Sequence, residues 1–395
     1  MSMKCIGKHF ASGEPVEISF DSAITGVDPL LSSDTLGGMF LAPGFIDLQV
    51  NGFAGVDYNS PSAAREEIER SIQRQFATGV TRLFPTVITG APDDMLAAFR
   101  NLAAAKESIP SGAAMEGFHL EGPYISPEDG PRGAHPARWI RPPSLDEFHR
   151  FQEASRGNIR LITLAPELPD SPSFIEALVR QGVVVSIGHT AANAGQIAAA
   201  VSAGATLSTH LGNGTHSSLP KTSNYIWDQL AEDRLAASFI ADGVHLPVPY
   251  LKVALRAKGL DRSLLVTDAA MPADCEPGFY RLGEVDVELR ADHSVRLRGG
   301  SRLAGSALRM DRAIENVMRF AGLSLTEAVT LATRNPARLG RINARQRGLN
   351  PGDRADLVQF RYDAAGGKIE ILATYLSGQR VYMLSSPPHS APRCT

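Results

Sequence analysis

Short apolar, β-branched runs alternate along this chain with longer stretches whose apolar residues recur every three or four positions. The runs at 39–50, 81–87, 114–122, 160–165, 183–188, 205–211, 236–241 and 263–268 read as strands. Segments 61–79, 93–107, 173–182 and 191–204 carry helical spacing, and the last two close on Gly182 and Gly204, which suit helix C-caps. Strand and helix in strict alternation is the signature of βα units around a parallel sheet. Eight such units predict a TIM (β/α)8 barrel over residues 45–349.

The ends follow a different rule. Glu14-Pro-Val-Glu-Ile-Ser-Phe20 alternates like a half-buried strand, and strand-like runs return at 368–375 and 379–383. Residues 1–44 and 350–395 are therefore expected to form one small β-sandwich domain into which the barrel is inserted. The Ser- and Pro-rich stretch 385–395 is expected to fray.

Composition narrows the class without naming a function. With 395 residues, 43% of them hydrophobic and 21% charged, the chain can bury a large core. A formal net charge of −3 gives no electrostatic signal for nucleic acid or an anionic membrane. No apolar run approaches the ~20 residues of a membrane span, and the start lacks the apolar region of a secretory signal. Cys5, Cys275 and Cys394 form no CxxC pair and read as free thiols of a reducing compartment, so a cytoplasmic protein is expected. No GxxxxGK[ST] loop is present, so no nucleotide is called for.

In a TIM barrel the chemistry sits at the carboxyl ends of the strands, so the polar residues that end each run are the informative ones. They are Glu121 after Phe118-His-Leu, His189 after Ser186-Ile-Gly, His210 after Ser208-Thr, and Asp268 after Val266-Thr. Taken singly, each histidine is more readily a hydrogen-bonded structural residue. Together, two imidazoles and a carboxylate supply three ligands to a divalent ion and leave its fourth position open. Such an ion lowers the pKa of water from 15.7 to about 7, and Asp268 would move the proton from the nucleophile to the leaving group.

At this point the chain resembles a family. Pro43-Gly-Phe-Ile-Asp-Leu-Gln-Val-Asn-Gly52, His119-Leu-Glu-Gly-Pro123, Gly188-His-Thr190, Thr209-His-Leu211, Ala241-Asp-Gly-Val-His245 and Val266-Thr-Asp-Ala269 are similar to motifs of the N-acetylglucosamine-6-phosphate deacetylases of the amidohydrolase superfamily. The similarity continues through Ala304-Gly-Ser306, Thr333-Arg-Asn-Pro-Ala337 and Pro351-Gly-Asp-Arg-Ala-Asp-Leu357, in order along nearly the whole chain. It implies a barrel inserted in a β-sandwich, a homodimer, and hydrolysis of the acetamide of an amino sugar phosphate. By the same resemblance Glu121, His189 and His210 hold the metal and Asp268 is the acid–base. It also implies that His135 helps polarise the acetyl carbonyl, that His245 reaches substrate across the dimer interface and that Asn213 holds the sugar phosphate, for which the backbone amides around Asn213 and Gly214 offer a cradle.

Two departures sharpen the expectation. Where some members carry His-x-His, this chain has the amides Gln49 and Asn51, which favours one metal ion. Zinc is the first choice for a two-histidine, one-glutamate set, with iron, cobalt and manganese left open. The loop Asn213-Gly-Thr-His216 to Lys221 differs from the family where a phosphate-binding arginine is usual, and leaves Lys221 as the candidate point charge. The substrate is thus read as N-acetylglucosamine-6-phosphate, with an unphosphorylated N-acetyl amino sugar or another N-acyl compound as the alternative. A non-catalytic sugar-binding protein on the same scaffold is the reading from another class. His119, two residues before Glu121, is expected to point inward without ligating, His216 divides between substrate contact and a solvated loop, and Trp227 is expected in a helix core.

Overall fold

The computed structural model describes residues 3–31, 36–283 and 285–384; the tail expected to fray, with His389 and Cys394, lies outside them. Eight strands form one parallel sheet in chain order: β1 (Phe45–Val50), β2 (Val80–Ile88), β3 (Phe118–Glu121), β4 (Ile159–Leu164), β5 (Val184–Ile187), β6 (Leu207–Ser208), β7 (Ala236–Phe239) and β8 (Ser263–Leu265). Beyond β8 the chain bridges back to the first strand, Val50 opposite Ala269, and Asn51 N donates to the Ala269 carbonyl at 2.7 Å. The sheet thereby nearly closes into the expected barrel.

The strands are buried almost throughout, because helices cover the outer face while side chains fill the interior. Among those helices are Arg65–Phe76, Pro92–Ser108, Ser171–Arg180 and Ala194–Ser202, at the four places where helical spacing was read. The last begins with a reciprocal cap: Asn193 Oδ1 accepts from Gln196 N at 3.0 Å, and Gln196 Oε1 accepts from Asn193 N at 2.9 Å. Gly182 and Gly204 follow their helices with φ of 83° and 110°, a backbone region closed to most side chains.

Seven strands from the two termini hydrogen-bond into a single separate sheet, in the order Gln379–Met383, Lys368–Leu376, Leu357–Asp363, Met39–Pro43, Met3–His9, Pro15–Phe20, Ile24–Pro29. Its own apolar cluster includes Ile18, Phe20, Leu357 and Tyr375. The expected first strand, 39–50, is divided at Gly44: Met39–Pro43 belongs to the terminal sheet and β1 to the barrel. A Cβ on Gly44 would lie 2.2 Å from Thr81 Cγ2, so only glycine lets the chain cross from sheet to barrel here. The run read as a strand from 114 is regular only from Phe118, because Pro110–Ala114 turns as a 3-10 helix.

A three-stranded antiparallel sheet, Gly278–Leu282, Val285–Leu289 and Val295–Leu297, follows β8 around a small core that includes Val287 and Leu289. Among the described residues no helix is long and apolar enough to cross a membrane.

Candidate metal centre and active site

Glu121 ends β3, while His189, His210 and Asp268 lie just past β5, β6 and β8. Three of these four leave the regular strand conformation: φ is 51° at His189, 29° at His210 and 50° at Asp268. A positive φ is unfavourable for residues with a Cβ and persists where surrounding structure enforces it. Here it turns the strand-end side chains across the mouth of the barrel, and all four are buried.

The ligand atoms of Glu121, His189 and His210 lie within 4.8 Å of one another. Glu121 Oε1 is 3.1 Å from His189 Nε2 and 3.0 Å from His210 Nε2. His189 Nδ1 lies 2.8 Å from the Pro131 carbonyl, an acceptor only, so Nδ1 carries a proton. Nε2 then faces the Glu121 oxygen, as a donor when the ring is charged and with its lone pair, which suits a metal cation, when it is neutral. Burial opposes ionisation of Glu121, yet the hydrogen bonds and charges of the two histidines hold its carboxyl well below the usual range. For His210 burial acts downward, but Glu121 raises it overall. The donor set and its electrostatics fit a divalent ion.

Gln49 and Asn51 take a part the sequence did not reveal. Gln49 Nε2 donates to Glu121 Oε1 at 3.0 Å and to Asp268 Oδ1 at 3.1 Å, and Asn51 Nδ2 donates to the same Oδ1 at 2.6 Å. Their amides hold the two carboxylates. Burial, and then the charge of Glu121, push Asp268 up to about 6. Behind it, Asp47 accepts from Thr267 Oγ1 at 2.5 Å and Thr267 N at 3.2 Å, which pins β1 to the segment that carries Asp268.

His135 comes from the loop after β3. Its ring centroid is 4.4 Å from that of His189, and Nδ1 is 2.8 Å from Thr89 Oγ1. Burial, then the charge of His189, lower it to about 3, so it is a neutral imidazole near pH 7. Nδ1 and the Thr89 hydroxyl share a hydrogen bond in which either can donate; with the hydroxyl as donor, the ring's proton sits on Nε2.

One cavity of about 1170 Å³ is lined by Glu121, His135, His189, His210, Asn213, Gly214, His245 and Asp268 together. Gly214 lies against the His189 imidazole: a Cβ there would be 2.6 Å from Nδ1. His245 is fixed by Asp242, 2.6 Å from Nδ1. Lys221 is exposed and is not among the lining residues. His216 does line the cavity, held by Tyr225 at 2.9 Å and Glu128 at 3.1 Å. His119 points inward, 2.7 Å from Thr163 Oγ1. Trp227 is not in a core; it is 49% exposed, because its helix, Tyr225–Ala231, turns Tyr225 and Ile226 inward instead.

The amidohydrolase family profile matches residues 40–381. The chain belongs to this family. Relatives include N-acetylglucosamine-6-phosphate deacetylases: that of Bos taurus is 36% identical over 365 residues, 88% of this chain and 85% of its own. The Mycobacterium smegmatis enzyme of that name, solved as an aspartate-to-alanine variant in complex with N-acetyl-D-glucosamine-6-phosphate, superposes with a TM-score of 0.86 at 29% identity, covering 96% and 99% of the two chains. That of Thermotoga maritima gives 0.84 at 26%, covering 97% and 100%. This amidohydrolase therefore shares both the barrel and the terminal sheet of the deacetylase structures, and its Glu–His–His group is one that can bind a metal.

Proposed function

We propose that this amidohydrolase hydrolyses the acetamide of N-acetylglucosamine-6-phosphate to acetate and glucosamine-6-phosphate. The observation that carries the reading is the convergence of Glu121, His189, His210 and Asp268 on one cavity, in a chain whose relatives bear that enzyme's name. Glu121, His189 and His210 are the residues that would hold a single divalent ion, zinc by the chemistry of the donor set. When bound, the ion supplies Lewis-acid polarisation of the amide carbonyl and makes water a nucleophile near neutral pH.

The protein's own groups do the rest. Gln49 and Asn51 both donate to Asp268 Oδ1, which leaves Oδ2 to take a proton from the attacking water and pass it to the leaving nitrogen. One water adds across the C–N bond: its oxygen goes to acetate and its protons to the amine. The neutral His135 donates from Nε2 to the oxyanion that develops on the carbonyl. Asn213, Gly214 and His245 line the same cavity and are the contacts proposed for the sugar.

A homodimer is carried by the resemblance of the His245 motif, and light scattering tests it. A cytoplasmic setting is supported by the free thiols of Cys5 and Cys275.

The test is acetate release by zinc-loaded protein from N-acetylglucosamine-6-phosphate, with N-acetylglucosamine alongside. Turnover of the phosphorylated sugar is expected, and turnover of neither would sink the reading. A second reading, an unphosphorylated N-acetyl amino sugar, is favoured by one observation: Lys221 stands outside the cavity lining. Preference for N-acetylglucosamine in the same assay would select it.

A further inference from the structure

An anionic sugar needs a cation in a cavity whose lining carries Asp57, Glu67, Asp94 and Asp129 besides the site carboxylates. Among the described residues, the arginine and lysine side chains that line it are Arg281, Arg296 and Arg302. All three come from the three-stranded sheet and the turn that follows it.

Arg296 and Arg302 both line the cavity, on segments that meet where Arg296 bridges the residue after Arg302. Arg296 pairs across with Leu303, and its guanidinium donates to the Ser301 carbonyl at 2.6 Å and to Ser294 Oγ at 3.1 Å, both neutral oxygens. Arg302 spans the mouth to the loop that carries His135: Nη1 donates to the Gly133 carbonyl at 3.2 Å and Nη2 to Asp129 Oδ1 at 2.8 Å. The Asp129 side chain is 71% exposed and already shared with Arg132 at 2.8 Å, so the bridge to Arg302 is weak and readily exchanged. From Arg302 the chain runs on to Ser306, whose N–H donates to the Asp268 carbonyl at 2.9 Å. Four residues span at most ~14 Å, so the arginine pair hangs from the same backbone that positions the acid–base.

We propose that Arg296 and Arg302 form the anion subsite of this cavity and take the phosphate of the substrate, Arg302 exchanging Asp129 for phosphate oxygens. This rests on the deacetylase reading above and gives it a specificity determinant. Guanidinium forks match phosphate oxygens two at a time, an advantage a lysine ammonium lacks.

The experiment is steady-state kinetics of R296Q, R302Q and K221A on N-acetylglucosamine-6-phosphate and N-acetylglucosamine, with calorimetric binding of glucosamine-6-phosphate as a readout that needs no turnover. For each arginine variant, KM for the phosphorylated sugar and Kd for glucosamine-6-phosphate are expected to rise at least ~10-fold, the scale of a lost charge-assisted hydrogen bond. The kcat and the KM for N-acetylglucosamine stay near the parent's. Unchanged values, an equal loss on both sugars, or a larger loss from K221A than from R302Q would overturn the assignment while the parent still turns over the phosphorylated sugar. If the parent acts on neither sugar, the deacetylase reading falls and takes this subsite with it.

Discussion

The barrel holds two buried polar clusters, one at each end, and they solve the same electrostatic problem in opposite ways. At the amino end, Asp356 accepts from Arg82 Nε at 2.8 Å and Nη2 at 2.9 Å, from Arg345 Nη1 at 2.6 Å and from Ser377 N at 2.7 Å. Arg345 also donates to Thr81 Oγ1 and the Gly44 carbonyl, and Arg354 reaches Glu116 at 2.9 Å. Burial would raise Asp356, but Arg345 and Arg82 hold it far below the carboxylate range. At the carboxyl end, Glu121 and Asp268 share the neutral amide of Gln49, and among the described residues no lysine or arginine forms an ion pair with either. One cluster carries its cations in the chain and fastens the terminal sheet to the barrel; the other leaves a cation's place to be filled. Conserving charge balance gives a lock, and withholding it gives a reactive site.

The two clusters differ most sharply at their aspartates. Replacing Asp268 with Asn is expected to lower kcat by ~10²–10⁴-fold, the range of general acid–base catalysis, while zinc content by elemental analysis stays at the parent's. Near-parental turnover would remove Asp268 from the mechanism. Replacing Asp356 with Asn leaves two buried guanidiniums without their carboxylate, so unfolding free energy should fall by about 3–5 kcal/mol. Denaturant titration measures it; a change under about 1 kcal/mol would mean that the lock is not one.

In cation-free protein the same chemical change should act with opposite sign at the site. The folded value of Asp268, about 6, lies above the unfolded value near 3.8. The group's contribution is therefore present below the unfolded pKa and lost as pH rises through the folded one. After chelation, D268N should be more stable than the parent at pH 7 by up to about 3 kcal/mol, at about 1.4 kcal/mol per pH unit between the two values. Denaturant curves at pH 4 and pH 7 read the trend, and a D268N advantage that shrinks with rising pH would contradict it. Asp356 behaves in reverse, since its stabilisation is full above the unfolded pKa and fades as pH falls. The smallest effect is that of the ion. Zinc at 100 times its Kd should stabilise the parent by about 2.7 kcal/mol and do much less for Glu121→Ala; equal stabilisation of both would refute the ligand set.

The layout was legible along the chain. Alternating apolar runs and helical stretches specified all eight barrel strands, because buried parallel strands are written in contiguous β-branched residues that survive any change of boundary. Strand-end polar residues were legible for a similar reason: Glu121, His189, His210 and Asp268 stand where a strand must emerge, and a barrel sends every such end to one rim. The rest depends on contacts between residues far apart in the chain. The amides of Gln49 and Asn51, read as poor ligands, proved to be donors to Asp268, 219 and 217 residues away. The positive φ values that aim the histidines are imposed by packing, and residue type does not announce them. The strands of the mouth sheet did leave a signal, the alternation of Val285-Asp-Val-Glu-Leu289, but nothing local says that their arginines turn toward a cavity while Lys221 stays outside. Spacing encodes which face a side chain takes; which cavity that face meets is settled only when distant segments pack.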